Sequence, residues 1–187
     1  FQVQNPSTRC NLQQNDSTLL AQGLIDGTSD LCLGSTMITM KHIAWSYLYS
    51  EEIYITVPLH HRLADWEQAT LKDIENEPFI TMKPSYSLRI LTNRVCALAN
   101  VHPKIIFEGD DTNTIASLVA SNLGVSLLPK IPGSDAIGIR QIHVSFPSCK
   151  REIGIAWNMT RPLSPAALRF HQFIVKRFAD KRSSTVR

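Results

Sequence analysis

Residues 104–129 read KIIFEGDDTNTIASLVASNLGVSLLP, and this stretch decides the fold. Lys104 to Glu108 is a short run rich in β-branched and aromatic residues, the composition of a strand. Asp110-Asp111-Thr112 then offers side-chain acceptors to the free N–H groups of a helix start. Ile115, Leu118 and Val119 follow at i, i+3 and i+4, one face of a helix. Leu123-Gly124 ends that helix, and Val125 to Leu128 is a second strand, stopped by Pro129. Strand, helix and strand in such quick succession is the signature of an α/β fold.

The alternation continues outward in both directions. Upstream, Pro78 to Met82 (PFITM) reads as a strand. Pro84-Ser85-Tyr86-Ser87 reads as a turn that can cap a helix carrying Leu88, Leu91, Val95 and Leu98, which should stop before Pro103. Thr70 to Ile74 is one short helical turn, and Ile53 to Val57 (IYITV) is a strand that Pro58 ends. Farther up, Arg9 to Leu12 is read as a short strand. Asn15-Asp16-Ser17-Thr18 supplies several N-cap candidates ahead of Leu19, Leu20 and Leu24; Gly27 closes that helix, and Ser29 to Gly34 is a short buried strand. Downstream, 134–143 is weakly patterned and Arg151 to Trp157 (REIGIAW) is a final strand. The last helix has Ser164 as N-cap, Pro165 at its first position, and one apolar face of Ala167, Phe170, Phe173, Ile174 and Phe178. Trp157 and the three phenylalanines are assigned to the core.

Length and charge bound the function. The 187 residues, 43% of them hydrophobic, suffice for one large domain or two small ones with a real core. The net charge of +3 sits at one terminus: Lys176, Arg177, Lys181, Arg182 and Arg187 lie in the last twelve residues against Asp180 alone, and the remainder carries 14 basic against 15 acidic side chains. A nucleic-acid surface needs a basic stripe across the folded body. Positive charge at a helix C-terminus, where the dipole favours it, is the simpler account.

Cys10, Cys32, Cys96 and Cys149 form no CxxC pair and are too sparse for a disulfide scaffold, which points to a reducing compartment. No apolar run approaches the ~18 residues of a membrane span, and no export signal stands at the N-terminus. A cytoplasmic protein without membrane association is expected.

Five stretches, in order, resemble the effector-binding domain of LysR-type bacterial transcription regulators. They are Leu24 to Gly34 (LIDGTSDLCLG), Tyr54 to Ala64 (YITVPLHHRLA), Leu71 to Ile80 (LKDIENEPFI), Phe107 to Pro129, and Arg151 to Phe173 (REIGIAWNMTRPLSPAALRFHQF). Arg62 departs from the family's usual Pro, and Ser121-Asn122 from its common Ala-Gly, so Asn122 must close its helix without glycine. The resemblance implies an α/β fold of two Rossmann-like subdomains joined by two crossover strands, the periplasmic-binding-protein-like fold of type 2. The first would hold 1–53 plus 151–187, the second 54–150. It implies further that a winged helix-turn-helix DNA reader, a linker helix and a first strand and helix precede Phe1 in the whole regulator. DNA would be bound only through that part, and the whole protein is expected to be a homodimer or homotetramer.

In open α/β sheets ligands bind beyond the carboxyl ends of strands, where loops meet helix starts. Two such loops face the family's inter-subdomain cleft, and they furnish the candidate effector site: Asn15, Ser17 and Thr18 in one, Lys83, Pro84, Ser85, Tyr86 and Ser87 in the other. Hydroxyls beside free N–H groups, with one lysine, suit a carboxylate or phosphate, so an anionic metabolite is the expected effector. Each hydroxyl taken alone is read equally well as a helix cap. Adjacent His60 and His61 on an extended segment point to opposite faces and cannot easily chelate one ion, so a structural turn histidine is preferred to a metal site. Asp110 and Asp111 are read as helix-cap acceptors rather than an acid–base pair. No Ser elbow, Gly-rich phosphate loop, HExxH motif or paired catalytic cysteine is present, so no catalytic residue, metal or cofactor is expected. The expected mechanism is a small molecule in the cleft that shifts the domain arrangement and so DNA binding. The alternatives are an enzyme, or a free solute-binding protein, on the same two-lobed fold.

Overall fold

A computed structural model describes residues 1–35 and 41–184, with side chains through residue 179 in the last helix. Arg187 and the side chains of Lys181 and Arg182, part of the basic terminus, lie outside the described residues. In chain order the elements are α1 (Ser17–Asp26), β1 (Cys32–Ser35), β2 (Ile43–Pro58), β3 (Gln68–Ala69), β4 (Pro78–Met82), α2 (Ser87–Leu98), β5 (Lys104–Gly109), α3 (Thr112–Ala120), β6 (Ser126–Pro129), β7 (Ile139–Val144), β8 (Lys150–Asn158) and α4 (Pro165–Ser184). Short 3₁₀ turns stand at Gln2–Gln4, Leu71–Ile74 and Ser134–Ile137.

The chain divides into two compact units, Phe1–Ser50 with Glu152–Arg187, and Glu51–Arg151. The strands β2 and β8 each run from one unit into the other. In the first unit β8 lies between β1 and β2, antiparallel to β1 with Cys32 opposite Ala156 and Gly34 opposite Gly154. Ala21, Leu24, Cys32 and Ala156 form its small buried core, with Leu20, Ile43 and Trp45 packed against it.

The second unit is built on β2, which pairs antiparallel with β6 on one side and β7 on the other. Short β3 adds parallel to β7, and β4 pairs parallel with β5. A bridge from Phe79 to Val125 joins β4 to the start of β6, sealed by Val125 N–H to Pro78 O at 2.8 Å and Ile80 N–H to Val125 O at 2.9 Å. The strand sequence is therefore β5-β4-β6-β2-β7-β3. Against it the buried faces of α2 (Leu88, Val95, Cys96) and α3 (Ile115, Ala116, Val119) complete one core with Ile55, Val57, Phe79, Ile80, Leu128 and Ile142.

Most helix ends follow the sequence signals. Thr70 and Asp73 form a reciprocal capping box on the Leu71–Ile74 turn, and Ser164 Oγ accepts from Ala167 N–H at 3.2 Å. Asn122 closes α3 in the left-handed region (φ 61°), with Leu123 N–H bonded back to Leu118 O. Asparagine tolerates that conformation, which is how the helix ends without glycine there.

Several expectations are corrected. Arg9–Leu12 forms no strand: its side chains are exposed, Leu12 at 85%, and no strand among the described residues pairs with it, so no ladder can form. The strand expected at Ile53–Val57 is the end of a 16-residue strand. Its first ten residues, IAWSYLYSEE, are mostly half-buried and show no clean alternation to read. The weakly patterned 134–143 holds most of β7, whose Ile139 and Ile142 are wholly buried. Trp157, Phe170, Phe173 and Phe178 are half-buried rather than core. Phe1 meets Phe170 edge-on at 5.1 Å, Phe178 stacks on Tyr49 at 4.9 Å, and Trp157 meets His171 at 4.7 Å. Cys32, Cys96 and Cys149 are buried free thiols, pushed up to about 11, 11 and 12 by burial, and so stay protonated. No described helix is long and apolar enough to cross a membrane.

Candidate functional site

The loop from Lys83 to Ser87 is shaped by the strands beneath it. The β4/β5 ladder ends with Met82 opposite Gly109, and Lys83 N–H to Gly109 O (2.9 Å) prolongs it by one bond. Pro84 and Ser85 then turn the chain, with Tyr86 N–H bonded to Lys83 O at 3.1 Å, and α2 begins at Ser87. Tyr86 occupies the N-cap position in an extended conformation, and no side chain caps the helix. The N–H groups of Ser87 and Leu88 therefore have no acceptor within the helix, the arrangement that receives an anion.

Ser85 and Ser87 thus do not act as caps here. Lys83 Nζ reaches Asp110 Oδ2 at 2.5 Å, with both side chains about half exposed. The Asp110 carboxylate beside it holds the Lys83 ammonium above the ordinary lysine range. Asp110 is accordingly not a cap. That part is played by Asp111, whose carboxylate accepts from Thr114 N–H at 2.8 Å.

Sequence reasoning missed Arg89. Its side chain is only 11% exposed, the guanidinium donating to Met82 O at 3.0 Å and pairing with Glu108 at 2.5 Å. It ties the first turn of α2 to the carboxyl ends of β4 and β5, and so fixes the loop between them. A signal existed: a cation in the first turn of a helix opposes the dipole and calls for an acidic partner.

In the other unit, Asn15 is exposed, and Ser17 and Thr18 are the first two residues of α1. Asp16 caps this helix, accepting from Thr18 N–H at 2.8 Å and Leu19 N–H at 3.0 Å. Two of the N–H groups available at this start are thus engaged by a carboxylate. Asp16→Ala should lower the stability of the chain by about 1 kcal/mol in denaturant unfolding; an unchanged midpoint would show that the cap contributes nothing.

His61 is structural. Its Nδ1 accepts from Leu63 N–H at 3.2 Å and its Nε2 lies 3.3 Å from Glu77, which Arg62 also engages. Among the described residues no group of three or more His, Cys, Asp or Glu is arranged to hold a metal ion. A small cavity of about 190 Å³, lined by Glu52, His143, Ser145, Ser148, Cys149 and Lys150, was not anticipated. Its charges are paired internally: Lys150 at 2.9 Å and the Tyr54 hydroxyl at 3.1 Å hold Glu52 below the usual carboxylate range.

Residues 1–179 match the family model described as the LysR substrate binding domain. The chain is 41% identical over 180 residues to an uncharacterized HTH-type transcriptional regulator, YybE, of Bacillus subtilis (strain 168), covering 96% of this chain and 62% of that protein. It is 30% identical over 182 residues to the transcriptional dual regulator GltC of the same organism, covering 96% and 61%. The chain thus spans about three fifths of the length of these relatives. Among solved structures, the effector binding domain of QuiR in complex with shikimate superposes with a TM-score of 0.84 at 23% identity, covering 89% of this chain and 80% of that one. The regulatory domain of Synechocystis PCC6803 CcmR in complex with 2-PG superposes with a TM-score of 0.87 at 14% identity, covering 95% and 86%. These likenesses show the fold, the two-subdomain α/β architecture of effector-binding domains with its periplasmic-binding-protein-like type 2 topology.

Proposed function

The chain belongs to the LysR substrate-binding domain family, and on that premise we propose that it is the effector-sensing part of a LysR-type bacterial transcriptional regulator. The effector is a small molecule carrying a carboxylate or phosphate. The observation that carries this is the uncapped start of α2, with Ser85 and Ser87 hydroxyls unused as caps and Lys83 just beyond β4. Asn15, Ser17 and Thr18 of the other unit are the second candidate loop, poorer in free N–H donors because Asp16 takes two of them. QuiR and CcmR, solved with shikimate and 2-PG, support the reading that domains of this fold hold small acidic ligands.

In the whole regulator, binding shifts a two-state equilibrium that a separate DNA-binding part converts into altered DNA contacts. The effector must bind the two states unequally to have any effect. The relatives are regulators, so no covalent step belongs to this reading. The whole protein acts in the cytoplasm as a homodimer or homotetramer.

Thermal-shift screening against small carboxylates, amino acids and sugar phosphates should raise Tm with at least one compound. Lys83→Ala should then weaken its binding by roughly tenfold or more, and Ser87→Ala by roughly two- to tenfold, the worth of a charged and a neutral hydrogen bond. A stabilising compound whose affinity survives changes in both loops would show that the site lies elsewhere.

A further inference from the structure

Lys83 and Asp110 occupy equivalent places, each the first residue beyond the carboxyl end of one of two paired parallel strands. The ladder itself brings them together: Met82 pairs with Gly109, and Lys83 N–H bonds to Gly109 O at 2.9 Å. Their side chains meet at 2.5 Å, so a positive and a negative group stand side by side next to the uncapped start of α2. The neighbouring acid, Glu108, is engaged by Arg89, and Asp111 is engaged in capping α3. Asp110 is thus the acid left to face an incoming ligand together with Lys83.

This pairing discriminates between ligand classes. A simple anion that takes Lys83 must share the ammonium with Asp110 and sit beside that carboxylate's negative charge. A molecule carrying both a carboxylate and an ammonium exchanges one ion pair for two, its carboxylate on Lys83 and the Ser87 and Leu88 N–H groups, its ammonium on Asp110. Discrimination of this kind comes as much from what repels the wrong ligand as from what attracts the right one.

Resting on the proposed effector site, we infer that its ligand is zwitterionic, an α-amino acid or close derivative with a free ammonium, rather than a simple carboxylate or phosphate. The test is isothermal titration of the 187-residue chain with individual L-amino acids, each accompanied by its 2-hydroxy acid and by its decarboxylated amine. At least one amino acid should bind about tenfold or more tightly than both matched compounds. Asp110→Asn should cost that amino acid about tenfold and leave the hydroxy acid unchanged or tighter, whereas Lys83→Met should weaken both. Both side chains are half exposed and neither caps a helix, so the variants should keep the parent's Tm and circular dichroism.

If no amino acid binds, or if Asp110→Asn leaves amino-acid affinity unchanged, the zwitterion inference is overturned. A hydroxy acid that binds as well as its amino acid, tightens with Asp110→Asn and is lost with Lys83→Met would overturn it while leaving the effector site in place. Binding indifferent to both Lys83→Met and Ser87→Ala would overturn the site itself.

Discussion

Phe79→Ala is expected to cost about 3–5 kcal/mol, the largest loss of any single truncation in the Glu51–Arg151 unit. Phe79, the second residue of β4, is 2% exposed. It pairs in register with Ile105 and bridges to Val125, so the same residue holds β4 to both of its neighbours. The ring belongs to a core cluster whose other members, Val95, Ile115 and Leu128 among them, are themselves almost fully enclosed, and a close-packed interior fills such a cavity only in part. Urea unfolding read by circular dichroism, with hydrogen exchange at the β4 and α3 amides, gives the loss and its location. A cost below about 1 kcal/mol, or a loss of protection confined to the other unit, would refute this account of the core. Because Lys83 directly follows β4, ligand affinity should fall in parallel with the local loss of protection.

The second large effect is at Gly154, in the middle of β8. A Cβ there would overlap Cε2 and Cζ2 of Trp45 and lie 2.5 Å from the backbone oxygen of Ser46. Gly154→Ala should therefore destabilise the other unit by about 3 kcal/mol, the upper range for overpacking, since one of the obstructing atoms is backbone and cannot rotate away. The position opposite Gly154 in the β1 ladder is also a glycine, Gly34, so the strand pair is thin where the indole lies. Combining Gly154→Ala with Trp45→Phe should recover part of the loss, because the smaller ring withdraws the overlapping atoms. A double-mutant cycle with no coupling would show that the indole is not what excludes the Cβ.

Much of the fold was legible because its signals are local. The stretch 104–129 shows strand, cap, helix and strand within hydrogen-bonding reach of one another, and each of those elements stands where the periodicity and cap residues put it. What was illegible lacked local contrast. The first ten residues of β2 are mostly half-buried and present no clean alternation, and β7 gains its strand character from burial beside β2 rather than from its own composition. Arg9–Leu12 errs the other way: strand-like residues form no strand where no partner strand lies alongside.

The candidate loops show the same division. Sequence alone determined the α/β class, the family, and which two turns precede helices, because strand composition, helical spacing and cap residues act over a few neighbours. Only the tertiary structure decided what those turns offer. It made Asp16, not Ser17 or Thr18, the cap of α1, left α2 uncapped, and set Asp110 against Lys83 and Glu108 against Arg89. Those pairings join residues 27 and 19 positions apart in the chain. They exist because β4 and β5 lie side by side in a particular register, and register between strands is a property of the packed sheet that no single stretch of sequence carries.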